Sequence, residues 1–368
     1  MPTDLPDAWL PALDAVRNLP DGAIVLFIGA PDRGKTTLVT QLAKRLTGDG
    51  IRTAIVDTDI GQSEIGPPGT VGVGGARRDW AADRTSKLSD LKAGATFFVG
   101  AFAPSPVVLE LVTATMQAVR YAVNAKAQRI LVDTTGMVMG PAARRLKVAK
   151  AQAIAPVLII GMDKGEEIRS LLTALQSATG ALLLSLGVPP EVGRKSPAMR
   201  ATRRMTRLSK ALTDSHEIAL SLNNISLVGC MLGSGSALTP ELVRWTADTL
   251  RVPVVRGERG EGGLTLFVSG KPRSLPDAAT APIASYFKVS SVRVIALSNY
   301  SDALLGLHEE TGRLLALGRL LQLDAERHEL VLSTPLSLAP ERVRLVLLGR
   351  VRVPPDADGY SEIRVGEV

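Results

Sequence analysis

The chain has 368 residues, 45% of them hydrophobic, which makes two domains the natural division and leaves no room for extended disorder. Its net charge is +7 and its sequence pI about 9.7, a balance that favours polyanionic partners without naming one. One cysteine, Cys230, excludes an internal disulfide and a cysteine-based zinc site, and three histidines make a His-rich metal cluster or a Ser-His-Asp triad a poor reading.

From the N-terminus, "MPTDLPDAWLPAL" has no basic segment followed by an apolar one, so the expectation is a chain without a signal peptide in a reducing cytoplasm. "AIVLFIG" (23–29) is a short apolar run ending in glycine, the pattern of a buried parallel strand. The helix predicted after it places Leu38, Leu42 and Leu46 on one face and stops at "TGDG". "RTAIVD" (52–57) is the next strand. The stretch 61–75, "GQSEIGPPGTVGVGG", is so rich in glycine and proline that it reads as a loop at the strand ends. Strands recur at 95–100, 129–133, 156–160 and 181–186, with helices at 106–124, 141–153 and 164–178 between them. No apolar run, "APVLIIGM" included, approaches the roughly 20 residues that span a bilayer.

This alternation predicts an α/β domain over 20–222, its parallel sheet covered by helices on both faces, after an N-terminal segment 1–19. Beyond about residue 222 short strands separated by turn residues predict a smaller β-rich domain, 223–368, with one helix at 239–250.

"GAPDRGKT" satisfies every required position of a P-loop, after a strand and before a helix. Gly29 and Gly34 permit the tight turn, and the loop Gly29, Ala30, Pro31, Asp32, Arg33, Gly34, Lys35, Thr36 and Thr37 would cradle the phosphates of ATP. Lys35 would reach the β- and γ-phosphates, and the Thr36 hydroxyl would ligate Mg²⁺. In "VDTDIGQ" (56–62), the expectation is that one of Asp57 and Asp59 faces the phosphates, to hold Mg²⁺ or accept a proton. Gln62 could bond a substrate or a metal-bound water. Asp133, in "LVDTTGMVMG", stands at the strand end where P-loop proteins often carry a second acid. In "GRKSPAMRATRRMTRLSKAL" (193–212), Ser196-Pro197 opens a helix with Arg200, Arg203, Arg204 and Arg207 on one stripe and Ala201, Met205, Leu208 and Leu212 on another face. Such a stripe is either a solvated face or a lid that neutralises a transferring phosphoryl group.

With "DTDIGQSEIGPPGTVGV", "FFVGAFAPSP", "DTTGMVMG" and the C-terminal "LLGLHEETGRLLALGRLLQLDAERHELVLSTP", these motifs run through nearly the whole chain. Together they resemble the polynucleotide 5′-hydroxyl kinase family, which contains RNA-processing kinases of archaea and eukaryotes. The resemblance implies ATP-dependent, Mg²⁺-assisted transfer of the γ-phosphate to the 5′-hydroxyl end of RNA or DNA. It implies that Lys35 and Thr36 bind phosphates and metal, and that Asp59, a further metal candidate, is the general base. It also implies that Thr134 and Gly136 belong to a "clasp" segment on the substrate, and that Lys195, Arg200 and Arg204 act from the lid. Two positions depart from the family pattern. Met137 stands where the clasp has a base-stacking tryptophan, a contact worth roughly 1–3 kcal/mol, and Lys195 replaces a lid arginine, losing its planar fork. The rival readings are a non-catalytic ATP-binding scaffold of a nucleic-acid-processing complex and a plain P-loop ATPase. A GTPase is disfavoured, because "GMDKGEE" (161–167) lacks an Asn-Lys-x-Asp base-reading pattern.

Overall fold

In the computed structural model, residues 5–83, 85–190, 193, 196–270, 277–355 and 359–363 are described. The chain divides into two compact units, Met1–Leu208 and Ser209–Val368.

The first unit is a seven-stranded sheet between two helical layers. Its elements run α1 (Leu10–Arg17), β1 (Ala23–Gly29), α2 (Lys35–Gly48), β2 (Thr53–Thr58), β3 (Thr70–Gly75), α3 (Arg78–Ala82) and β4 (Ala95–Phe98). There follow α4 (Val108–Asn124), β5 (Arg129–Thr134), α5 (Gly140–Ile154), β6 (Leu158–Asp163), α6 (Arg169–Thr179), β7 (Leu182–Gly187) and α7 (Pro197–Ala211). The strand order is β4-β3-β2-β5-β1-β6-β7, with the five from β2 to β7 parallel. Alternate residues of a strand face opposite layers. In β1, Leu26 and Ile28 join the core beneath α4, α5 and α6, while Val25 and Phe27 join the core with α1 and α2, where Leu38, Leu42 and Leu46 are fully buried.

The sheet differs from the sequence reading at one edge. Residues 70–75, expected as loop, form β3, which runs antiparallel to both β2 and β4. The glycines that suggested a loop serve close packing instead: a Cβ on Gly72 would lie 2.0 Å from the Ile65 carbonyl oxygen, because the segment before β3 folds back over it.

The second unit contains β8 (His216–Ser221), β9 (Ser226–Val228), β10 (Ser236–Ala237), α8 (Pro240–Leu250), β11 (Val254–Gly260), β12 (Gly263–Val268), α9 (Asp277–Phe287) and β13 (Ser291–Ala296). It closes with β14 (Ala303–His308), β15 (Leu314–Asp324), β16 (Glu329–Thr334), β17 (Leu345–Arg352) and β18 (Ser361–Glu362). These make a four-stranded sheet, β10 to β13 in order, and a seven-stranded sheet in the order β18-β17-β14-β15-β16-β8, with β9 beside β17. Strand β8 pairs with β16, so this unit takes in residues before 222, where the composition changes. Helix α9 was not expected, since Pro282 inside it interrupts the helical pattern. Among the described residues, no helix is long and apolar enough to cross a membrane.

Candidate active site

The phosphate loop forms where β1 meets α2. Gly34 caps α2 in the left-handed region, with φ of 84°, a conformation natural to glycine. The first N–H groups of α2 have no intrahelical partner and carry the positive end of the helix dipole, which suits an anion. Lys35 is buried at 7% exposure, its Nζ donating to the Gly29 and Ala30 carbonyls at 2.8 and 2.9 Å. Burial lowers its pKa, against the opposing pull of Asp133, Asp59 and Asp32. Arg33 is held in a bidentate bond by Glu167 in the segment after β6, at 2.6 and 2.8 Å.

The two strand ends beside the loop share a three-residue ending, Val-Asp-Thr, and are paired in register: Val56 with Val132, Asp57 with Asp133 and Thr58 with Thr134. Both aspartates face the α2 layer and both are buried. Asp133 Oδ2 accepts from the Thr36 hydroxyl at 2.5 Å, and its Oδ1 is buried with no hydrogen-bond partner among the described residues. Burial raises Asp133 to about 6, opposed chiefly by Lys35 and the Thr36 bond. Asp57 does not face the phosphates. Its carboxylate accepts N–H groups of Asp59, Glu64 and Ile65 at 3.0, 2.5 and 3.0 Å, tying the following loop to the strand. Burial, then the neighbouring Asp133 and Asp59 charges, push it up to about 8. Asp59 lies two residues beyond, half-buried, in the wall of the cleft.

That cleft encloses about 720 Å³, within the range of small-molecule sites. Its walls include Pro31 to Thr37, Asp59, Gln62, Thr135, Gly136, Met137, Arg200 and Arg204. The structure therefore brings together most of the residues expected from sequence. Thr134 is an exception: it is buried, its hydroxyl donating to the Phe27 carbonyl, and Thr135 takes its place in the wall. Lys195, with its neighbour Arg194, lies outside the described residues. Gly136 presses on the phosphate loop so closely that a Cβ there would be 2.7 Å from the Pro31 backbone nitrogen and ring.

The arginine stripe of α7 is docked, not solvated. Arg200 pairs with Asp32 of the phosphate loop, Arg203 with Glu64 at 2.7 Å, and Arg207 donates to the Glu64 and Gly66 carbonyls at 2.7 and 3.2 Å. Arg204 lies over the Phe102 ring, 5.5 Å from its centroid, with Nη1 3.5 Å from the Gly61 carbonyl. Gln62 bonds back to the Arg200 carbonyl at 3.1 Å, and its Oε1 has no hydrogen-bond partner among the described residues. Sequence reasoning missed Pro6, Trp9, Phe102 and Pro104, which also line the cleft. Trp9 was within reach of such reasoning as a large apolar residue next to a short helix, and its indole donates to the Gly187 carbonyl at 3.1 Å.

These groups fit a nucleotide with Mg²⁺. The Thr36 hydroxyl and the orphaned Asp133 oxygen are hard donors beside the phosphate loop. No group of three or more His, Cys, Asp or Glu suited to a metal occurs among the described residues. Mg²⁺ needs none, being held by one or two protein oxygens together with phosphates and water.

The family model for the mRNA cleavage and polyadenylation factor CLP1 P-loop matches residues 29–212, the stretch that carries the phosphate loop, both strand-end acids, Thr134 to Met137 and α7. The chain belongs to this family. Among similar curated proteins, the polyribonucleotide 5′-hydroxyl-kinase of Pyrococcus furiosus is 28% identical over 355 residues, covering 96% of this chain and 94% of its own. The kinase of that name from Methanocaldococcus jannaschii is 26% identical over 357 residues, covering 97% and 94%. Among solved structures, the wild-type Clp1p–Pcf11p (454–563) complex has a chain that superposes with a TM-score of 0.56 at 11% identity, covering 93% of this chain and 77% of that one. That likeness extends the shared fold over both units.

Proposed function

We propose that this CLP1-family protein is an ATP-dependent polynucleotide 5′-hydroxyl kinase acting on RNA, DNA or both. The observation that carries the reading is the meeting of Lys35, Asp59, Arg200 and Arg204 in one cleft, beside an apolar ledge that includes Pro104 and Met137. The names of the curated relatives, matched over nearly their whole length, support it.

The loop 29–37 and Lys35 hold the ATP phosphates. Thr36, Asp133 and Asp59 would hold Mg²⁺, which would offset the negative charge of the phosphates when bound. Asp59 accepts the proton of the 5′-hydroxyl as its oxygen bonds to the γ-phosphorus, and the bond to the β–γ bridging oxygen breaks to release ADP. Arg200 and Lys195 stabilise the charge spread over the transferring group, with Arg204 in support. Gln62, Gly136 and Met137 position the acceptor end. The test is transfer of labelled γ-phosphate to 5′-hydroxyl RNA and DNA of equal length. Lys35→Ala and Asp59→Ala should abolish it, and undiminished transfer by Asp59→Ala would remove the base assignment. A wild-type protein that binds ATP yet labels neither oligonucleotide would favour the scaffold reading.

A further inference from the structure

Two lysines of α5 are fully buried although no step above uses them. The buried face of α5 is Ala143, Leu146, Lys147, Lys150, Ala151 and Ile154, a regular helical stripe with lysine at two core positions. A lysine at such a position ordinarily extends its head to water, and removing an ammonium from water is costly unless it is well paired. Among the described residues, neither Nζ reaches a carboxylate. Lys150 Nζ donates to the Thr58 hydroxyl at 2.7 Å, and Thr58 in turn donates to the Asp133 carbonyl at 2.8 Å. Lys147 Nζ donates to the Thr134 hydroxyl at 2.8 Å and the Thr135 carbonyl at 2.6 Å.

The two paired Val-Asp-Thr strand ends explain this arrangement. Because side chains alternate along a strand, the aspartates turn to the α2 layer while both threonines turn to α5. Each lysine bonds the hydroxyl of one strand-end threonine, and Lys147 also bonds the Thr135 carbonyl. Thr58 immediately precedes Asp59, and Thr134 and Thr135 immediately precede Gly136 and Met137.

We propose that Lys147 and Lys150 are positioning residues for the phosphoryl transfer, one for each side of the acceptor: Lys150 fixes, through Thr58, the segment that presents Asp59, and Lys147 fixes the clasp through Thr134 and Thr135. The inference rests on the kinase reading. It assigns the two lysines different kinetic signatures, because Asp59 acts on the reacting hydroxyl whereas the clasp holds the rest of the acceptor.

The experiment is steady-state transfer to a 5′-hydroxyl oligonucleotide with Lys150→Met, Lys147→Met, Thr58→Val and the Lys150→Met/Thr58→Val double variant, each with a thermal melt. Methionine fills a similar volume without a charge, so the melting temperature is expected to hold or rise. Lys150→Met should lower kcat at least about tenfold with acceptor KM nearly unchanged, since a small misplacement of the reacting groups costs rate. Lys147→Met should instead raise acceptor KM about fivefold or more, as expected of lost acceptor binding. Thr58→Val should reproduce the Lys150→Met loss, and the double variant should fall no further, as coupled residues do. Should Lys150→Met not fold, Thr58→Val against Thr58→Ser reads the same link, with serine retaining activity. Folded variants with wild-type kinetics, equal effects on kcat and KM in both lysine variants, or additive losses in the double variant would each overturn the inference. An inactive wild-type protein would overturn the kinase reading beneath it, a separable result.

Discussion

Replacing Gly136 by alanine tests whether the clasp and the phosphate loop must touch for transfer to occur. The added Cβ would lie 2.7 Å from the Pro31 nitrogen and ring carbon and 2.8 Å from its Cα. Ordinary contact between such atoms begins near about 3.5 Å, so the two segments must separate by roughly 1 Å. Two of the three opposing atoms are backbone, and the third belongs to a proline ring, so no flexible side chain can swing aside. Pro31 lies within the loop that would hold the phosphates, four residues before Lys35. A displacement of about 1 Å between reacting groups costs on the order of 10²-fold in rate, about 2.7 kcal/mol. The variant should therefore lose about two orders of magnitude in kcat/KM for labelled-phosphate transfer. Gly48→Ala is the control: its Cβ would meet nothing within 4 Å, and it sits at the end of α2 away from the clasp. If Gly136→Ala keeps wild-type kcat/KM while remaining folded, the clasp does not set the position of the phosphate loop and the reasoning fails.

Met137→Trp should strengthen acceptor binding by about 1–3 kcal/mol, the worth of a base–aromatic stack, read as a fall in oligonucleotide KM; an unchanged KM would mean that no base sits on this ledge. Arg204→Ala should reduce kcat by about 10³-fold, in the range of lost arginine stabilisation of phosphoryl transfer, with ATP binding by titration little altered. Lys150 also makes a prediction for stability. Burial lowers its pKa from 10.5 to about 7, against the opposing charges of Asp59, Asp57 and Asp133. Between those values the unfolded chain binds the proton and the native chain does not, so stability rises with pH from about 7 to 10.5 and is lost as pH falls through that window. The contribution to the slope is at most about 1.4 kcal/mol per pH unit, and denaturant titrations of wild type and Lys150→Met should diverge by it, with identical slopes refuting the shift.

How much of this was legible in the sequence depends on how local each feature is. The phosphate loop is a short backbone motif between a strand and a helix, and the α7 stripe is a spacing of three and four residues, so both could be read directly. Which of Asp57 and Asp59 would enter the cleft was not legible, because the strand ends at Thr58 and Asp57 is engaged by the backbone N–H groups of Asp59, Glu64 and Ile65. Strand β3 was hidden because its glycines argue locally for a loop, while the reason for them, the return of Ile65 over Gly72, is a tertiary contact. Thr134 was assigned to the substrate by family pattern, but its place as the last residue of β5 turns it inward toward Phe27 and Lys147. The two α5 lysines had a readable signal, since they occupy the same helical stripe as Ala143, Leu146, Ala151 and Ile154. A lysine on a helix is nevertheless exposed in most proteins, and only the packing of α5 over the ends of β2 and β5 shows otherwise.

The net charge acquires a different meaning once it is divided. Residues 1–208 hold 26 lysines and arginines against 18 aspartates and glutamates, whereas residues 209–368 hold 17 against 18. The excess positive charge belongs to the unit with the cleft, and the second unit is close to neutral. Even in the first unit, much of the charge near the cleft is already engaged: Arg200 by Asp32, Arg203 by Glu64 and Arg33 by Glu167. A phosphate that reaches Arg200 thus competes with a carboxylate already bonded to it. On the proposed kinase reading, the Arg200–Asp32 pair holds α7 against the phosphate loop until a transferring phosphoryl group competes for the guanidinium.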